Sequence, residues 1–283
     1  MKTWKLRLAV LIGIPAALFL AVLAFCVHLL VRQEYILIDP KPTPAGTPAI
    51  GEEVFIPVGS GPERGQLHAC WLEAADSNSP TCLYLHGQTH NNSTHPEHAK
   101  WLNQLGYNVL MVDYRGFGKS IGAARPGEPK LYEDAEAAWN HLTQTRGIKP
   151  QHLFIYGHSL GGAIAVELAT RHPDAAGLVT ESTFTSVPDM ARRKYPCLPT
   201  GWLLRLSFDS LQKVRTLKVP VLFIHGQLDA KVPFSMAEEL YAAAPKPKQL
   251  LPIEGGGHND AVGRDESKNA VTAFVQAHFN RTR

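Results

Sequence analysis

The sequence predicts an α/β domain built on a mostly parallel, eight-stranded sheet with helices on both faces. Three observations lead there. Eight short runs rich in Val, Ile, Leu, Tyr and Phe are spread over residues 52–253. Stretches of helical length, with apolar residues three and four apart, separate most of the later runs. One run, Leu153-Phe154-Ile155-Tyr156, passes into the helix-like stretch Gly162–Ala169 through only Gly157-His158-Ser159-Leu160-Gly161. Strands that alternate with helices form a mostly parallel sheet covered on both sides, because each crossover helix packs back onto the sheet. A length of 283 residues suits one such domain plus a short extra segment.

From the N-terminus, Leu8 to Val31 contains no Asp, Glu, Lys or Arg. As a helix it would reach about 36 Å, enough to span a bilayer. A cleaved signal peptide usually has an apolar run of only about 7–15 residues, and no small-x-small site closes this one, so an uncleaved anchor is expected. Lys2, Lys5 and Arg7 precede the span, whereas only Arg32 closely follows it. That bias places residues 1–7 in the cytoplasm and the main domain outside it, in a periplasm or lumen. Residues 32–50 are read as a linker. The proline-rich run Asp39–Pro48 within it reads equally as an unstructured linker or as an extended spacer that, fully stretched, would hold the domain roughly 30 Å from the membrane.

Residues 51–283 form the domain. Glu52–Ile56 and Leu67–Leu72 alternate as an antiparallel opening pair. Thr81–Leu85 follows as a central strand. His95–Leu105 is a helix that stops at Gly106. Asn108–Val112 is a strand, and Leu131–Gln144 a helix with Leu131, Ala135, Ala138, Trp139 and Leu142 on one face. The strand at Leu153, its following helix, and the strand Gly177–Thr180 come next. Val219–Ile224 and Lys248–Ile253 complete the sheet. The segment of about 182–218 interrupts the alternation. Its apolar Trp202, Leu203, Leu204 and Leu206, expected on a short helix, read either as packing against the sheet or as a lid over an apolar substrate site.

The chemistry concentrates at strand ends. Gly157-His158-Ser159-Leu160-Gly161 has the form G-x-S-x-G, where a tight turn lifts the serine hydroxyl above the sheet edge. A hydroxyl is a poor nucleophile at neutral pH and needs a base, which in turn needs an orienting carboxylate. Asp229 lies three residues beyond the strand that ends Ile224-His225-Gly226. His258 lies in the glycine loop Glu254-Gly255-Gly256-Gly257-His258 after the last strand. Ser159, Asp229 and His258 therefore all follow carboxyl ends of parallel strands, where open α/β sheets build their sites. Asp260 and Asp265 are spare acids, both after the histidine. The turn His86-Gly87-Gln88 follows the central strand, so the backbone N–H groups of Gln88 and Leu160 are the expected donors to an oxyanion.

These segments resemble the α/β-hydrolase superfamily, whose fold the chain is expected to share. The carrying residues are His86-Gly87, Asp113-Tyr114-Arg115-Gly116-Phe117-Gly118-Lys119-Ser120, Gly157–Gly162, Glu181-Ser182-Thr183-Phe184-Thr185-Ser186, His225–Asp229 with Val232-Pro233, and Gly257-His258-Asn259. More narrowly the chain resembles a membrane-anchored branch related to serine aminopeptidase-like hydrolases and protein depalmitoylases. The resemblance implies a serine hydrolase, and the apolar lid and the anchor favour an ester, thioester or lipid acyl bond as its substrate, with peptide cleavage as the alternative. A non-catalytic binding protein of the same fold is the rival class. Gln88-Thr89-His90 departs from the smaller residues common in that branch.

Other functions are disfavoured. A formal charge of +3 with no basic patch argues against nucleic acid. His86, His90, His95 and His98 fit no metal-ligand spacing. No metal or cofactor is expected. Asp113 and Arg115 are read as structural supports. In the fold the chain resembles, the strands of Cys70 and Cys82 are kept apart by the strand Val109–Val112, which argues against a disulfide between them.

Overall fold

The computed structural model describes residues 2–44, 47–76, 78–88, 91–93, 96–122, 126–197 and 204–279. Eight strands form one sheet: β1 (Glu52–Val58), β2 (Gly65–Leu72), β3 (Thr81–Leu85), β4 (Asn108–Val112), β5 (Leu153–His158), β6 (Gly177–Glu181), β7 (Val221–Gly226) and β8 (Lys248–Ile253). Their order is β1-β2-β4-β3-β5-β6-β7-β8. The β1–β2 and β2–β4 pairs are antiparallel, and every later pair is parallel. β4 lies between β2 and β3, so Cys70 and Cys82 sit on non-adjacent strands, as expected.

The central strands are buried on both faces, which is why they read as continuous apolar runs rather than alternating ones. One face packs α3 (Glu128–Asn140), α4 (Leu160–Arg171) and α7 (Phe234–Ala243) around Leu83, Ile155, Ile164 and Phe223. The other packs α2 (Glu97–Gln104) and α8 (Asp265–Phe279) around Tyr84, Tyr156 and Phe274. The expected Leu131–Gln144 helix starts earlier, at Glu128, and its last turn, His141–Thr145, winds as a π-helix.

Two expectations require correction. The linker does not begin at residue 32. Helix α1 runs from Lys2 to Ile38 and is bent by 55° between Gly13–His28 and Leu30–Ile38. Among the described residues no single helix is long and apolar enough to cross a membrane, whereas this bent pair meets the criteria of length and composition together. The second half docks on the domain: Gln33 and Ile38 are buried. The proline-rich run is not a free spacer either. Thr43 N donates to Gly118 O (3.0 Å), Gly118 N donates to Lys41 O (2.8 Å), and Asn91 Nδ2 donates to Lys41 O (3.0 Å).

The lid needs the second correction. It contains α5 (Val187–Lys194) and α6 (Ser210–Val214), but residues 204–209 have no helical form. Their backbone is held by distant side chains instead. Ser207 N and Phe208 N both donate to the Glu128 carboxylate, at 2.7 and 2.9 Å. Arg205 N donates to Gln33 Oε1 at 2.6 Å. Buried N–H groups must find acceptors, and here they find them outside a helix.

Candidate active site

The turn after β5 shows why its flanking residues are glycines. A Cβ on Gly157 would meet Gly161 O at 2.3 Å, and one on Gly161 would meet Leu85 O at 2.0 Å. Ser159 between them takes φ 53°, ψ −116°, a sparsely populated conformation for a residue with a side chain. Ser159 N donates to Glu181 O (2.8 Å) and Thr183 Oγ1 donates to Ser159 O (2.9 Å), tying the turn to the end of β6.

The structure brings together Ser159, His258 and Asp229. His258 Nδ1 lies 2.7 Å from Asp229 Oδ2, and His258 Nε2 lies 3.1 Å from Ser159 Oγ. The carboxylate fixes the proton on Nδ1, which leaves Nε2 to accept from the hydroxyl. Asp229 is itself fixed: its Oδ1 accepts from Lys231 N (2.8 Å) and Val232 N (2.9 Å), and His225 Nε2 lies 3.3 Å from Oδ2. Burial alone would raise its pKa. Hydrogen bonds from His225, His258 and Val232 outweigh that and hold the carboxyl well below the usual range. Asp260 plays a different part, accepting from Gly257 N at 2.8 Å to close the histidine loop.

Gly87, Gln88 and Leu160 border the same cavity as Ser159 and His258. The Gly87 turn runs close to the serine, since a Cβ there would lie 3.3 Å from Ser159 Cβ. Leu160 begins α4, so its N–H is among those without an intrahelical acceptor, at the helix end that favours negative charge.

A buried polar group beneath the turn is not evident from sequence motifs. His98 Nε2 pairs with Glu181 Oε2 (3.1 Å), Tyr156 OH donates to the same oxygen (2.6 Å), and His158 Nε2 reaches His258 O (3.3 Å). Burial drives the His158 pKa down to about 3, so this ring is neutral and its Nε2–H can donate to the His258 backbone. Burial opposes ionisation of Glu181, but the interaction and hydrogen bond with His98 and the hydrogen bond from the Tyr156 hydroxyl bring it down to about 2. The ligand atoms of His98, His158 and Glu181 lie within 4.8 Å of one another. Such a set could hold a metal by geometry, yet these contacts are those of a hydrogen-bonded network that steadies the His258 loop. The only sequence signals were a histidine inside G-x-S-x-G and an acid at the end of β6.

The cavity is about 750 Å³. Phe184, Val187, Met190, Tyr195, Leu204 and Phe208 supply much of its apolar wall, and Arg193, Lys194 and Lys231 are its cations. Of the four expected lid residues, Leu204 lines it. Leu206 does not; it is buried in the core at 5% exposure. Trp202 and Leu203 lie outside the described residues, as do His90 and His95. Asp113 and Arg115 are supports: Asp113 Oδ1 accepts from Asn92 N (2.7 Å), and Arg115 binds Asp134 through both N and Nε (2.8 and 2.6 Å).

The family described as "Serine aminopeptidase, S33" matches residues 76–207. An uncharacterized protein of Mycobacterium tuberculosis is 35% identical over 221 residues, covering 78% of this chain and 77% of that protein. The alpha/beta hydrolase domain-containing protein 17B of Xenopus tropicalis is 33% identical over 202 residues, covering 70% of this chain and 67% of that protein. The chain belongs to the α/β-hydrolase superfamily. Among solved structures, an esterase of Pyrococcus furiosus superposes with a TM-score of 0.67 at 20% identity, covering 85% of this chain and 99% of the other. In this α/β hydrolase Ser159, Asp229 and His258 follow the carboxyl ends of β5, β7 and β8.

Proposed function

We propose that the chain is a membrane-anchored serine hydrolase that cleaves an ester, thioester or lipid acyl bond. The observation that carries this reading is the continuous chain Ser159 Oγ–His258–Asp229 at 3.1 and 2.7 Å, opening into an apolar cavity. Ser159 Oγ attacks the acyl carbonyl as its proton passes to His258 Nε2. Asp229 holds Nδ1–H and stabilises the imidazolium. The N–H groups of Gln88 and Leu160 receive the negative oxygen. His258 returns the proton to the leaving alcohol or thiol, and an acyl-serine remains. Water then attacks that acyl group, giving its proton to His258, and the carboxylic acid departs as Ser159 regains its hydrogen.

An aminopeptidase-like reaction is the second reading, prompted by the matching family. A substrate with a free ammonium needs an acid to bind it. The described residues lining the cavity include three cations and neither Asp nor Glu, which supports the acyl reading instead. Each buried substrate methylene contributes about 0.8 kcal/mol, so four added carbons are expected to raise kcat/KM by up to about a hundredfold. A panel of p-nitrophenyl esters from acetyl to octanoyl measures this. A flat profile, with peptide amides turned over faster, would favour the peptidase.

The anchor reading rests on α1 and its flanking charges. A reporter fused after Arg283 is expected to be active only in its extracytoplasmic form, and protease added to spheroplasts should reach the domain. Protection of the C-terminus inside the cytoplasm would reverse the orientation.

A further inference from the structure

Helix α1 does more than precede the domain. Phe25, Gln33, Ile36 and Leu37 line the same cavity as Ser159 and His258. Two glutamines fasten this end of the helix to the site. Ile36 O would normally accept from the backbone N–H four residues on, but that residue is Pro40, which has none. Gln88 Nε2 donates to Ile36 O at 2.9 Å and caps the orphaned carbonyl. On the other side Gln33, 1% exposed, accepts from Arg205 N at 2.6 Å. The oxyanion-side turn and the lid strap thus close on the same two helical turns.

Between residues 13 and 27, α1 is apolar and mostly points outward. Ile14, Leu18, Phe19, Leu20, Leu23 and Val27 are all exposed. Phe25 belongs to both surfaces, being 46% exposed and part of the cavity lining. An apolar track therefore leads from the bare helix face into the cavity without crossing a polar rim at Phe25.

We infer that the end of α1 is a wall of the acyl-binding pocket, and that the substrate is a bilayer amphiphile whose acyl chain reaches Ser159 along this helix. The inference rests on the acyl-hydrolase reading above. It gives Gln88 a task the superfamily resemblance did not: holding the helix end against the oxyanion turn. It also makes Phe25 and Ile36 specificity-determining residues, although they lie more than 120 residues before the serine in sequence.

The test uses the full chain in phosphatidylcholine vesicles, with acetyl and octanoyl p-nitrophenyl esters. The readout is the ratio of kcat/KM for the two. Wild type, with six more substrate carbons to bury, should favour octanoyl by up to about three thousandfold. Ile36→Ser and Phe25→Ser, made separately, should each cut that ratio by about tenfold. Leu18→Ser, on the exposed face outside the cavity, should keep it. Gln33→Ala should lower the ratio mainly through a higher octanoyl KM. A wild-type ratio that survives both Ile36→Ser and Phe25→Ser overturns the α1 wall while leaving the hydrolase intact. An equal fall in Leu18→Ser would assign the effect to membrane association and also overturn it. A wild-type ratio near one would remove the acyl reading itself. Circular dichroism reports folding, and Phe25→Ser at its half-exposed position stands if Ile36→Ser fails to fold.

Discussion

Ser159→Ala is expected to reduce kcat by about 10⁶-fold and to abolish labelling by a fluorophosphonate probe. The size follows from the geometry. Without Oγ, His258 has no proton to accept and no acyl-enzyme forms. What remains is binding in the apolar cavity and an oxyanion site acting on attack by water. The fold should persist, because the contacts that fix the turn use only the backbone atoms of Ser159: its N donates to Glu181 O and its O accepts from Thr183 Oγ1. A folded Ser159→Ala protein that turns over the best ester near the wild-type rate would refute the assignment. So would labelling that survives in the variant, since the probe would then be reading another nucleophile.

Asp229→Asn is expected to cost about 10⁴ in kcat. The amide is nearly the same shape as the carboxylate, and its oxygen can still accept from Lys231 N and Val232 N. Its NH₂, however, would face His258 Nδ1. The ring would then keep its proton on Nε2, where it cannot receive one from Ser159. The loss is thus one of proton placement rather than structure, and circular dichroism should be unchanged. Asp260→Asn is the control. Its amide oxygen can still accept from Gly257 N, so a loss of less than roughly tenfold is expected, as for a partner that shapes the loop without touching the histidine ring. Reversed outcomes for the two acids would mean that the wrong carboxylate has been paired with His258.

The sheet and the three site residues were legible because each rests on short-range signals. A buried parallel strand announces itself as an apolar run, and G-x-S-x-G as a turn that only small flanking residues fit. What escaped was set by contacts between distant parts of the chain. Arg32-Gln33-Glu34 looked like the polar end of a span. The helix continues through it because Gln33 meets Arg205, 172 positions away. The strap around Leu206 looked helical, yet Glu128 binds its backbone from 79 positions away. The pairing of His98 with Glu181 spans 83 positions. In each case a polar side chain decides the local structure, and no window of neighbouring residues contains its partner.

Ser159 also bears on how stability and turnover are shared out in this protein. A side-chain-bearing residue held at φ 53° carries a cost of about 1–3 kcal/mol, a sizeable part of the roughly 5–15 kcal/mol that separates a native domain from its unfolded chain. Glycine could occupy that backbone without the steric cost. A chain under selection for folding or ligand capture alone would gain by losing the serine, and nothing in the surrounding turn requires its hydroxyl for packing. The tension retained at this one residue is therefore what a living catalyst would keep and a retired one would shed.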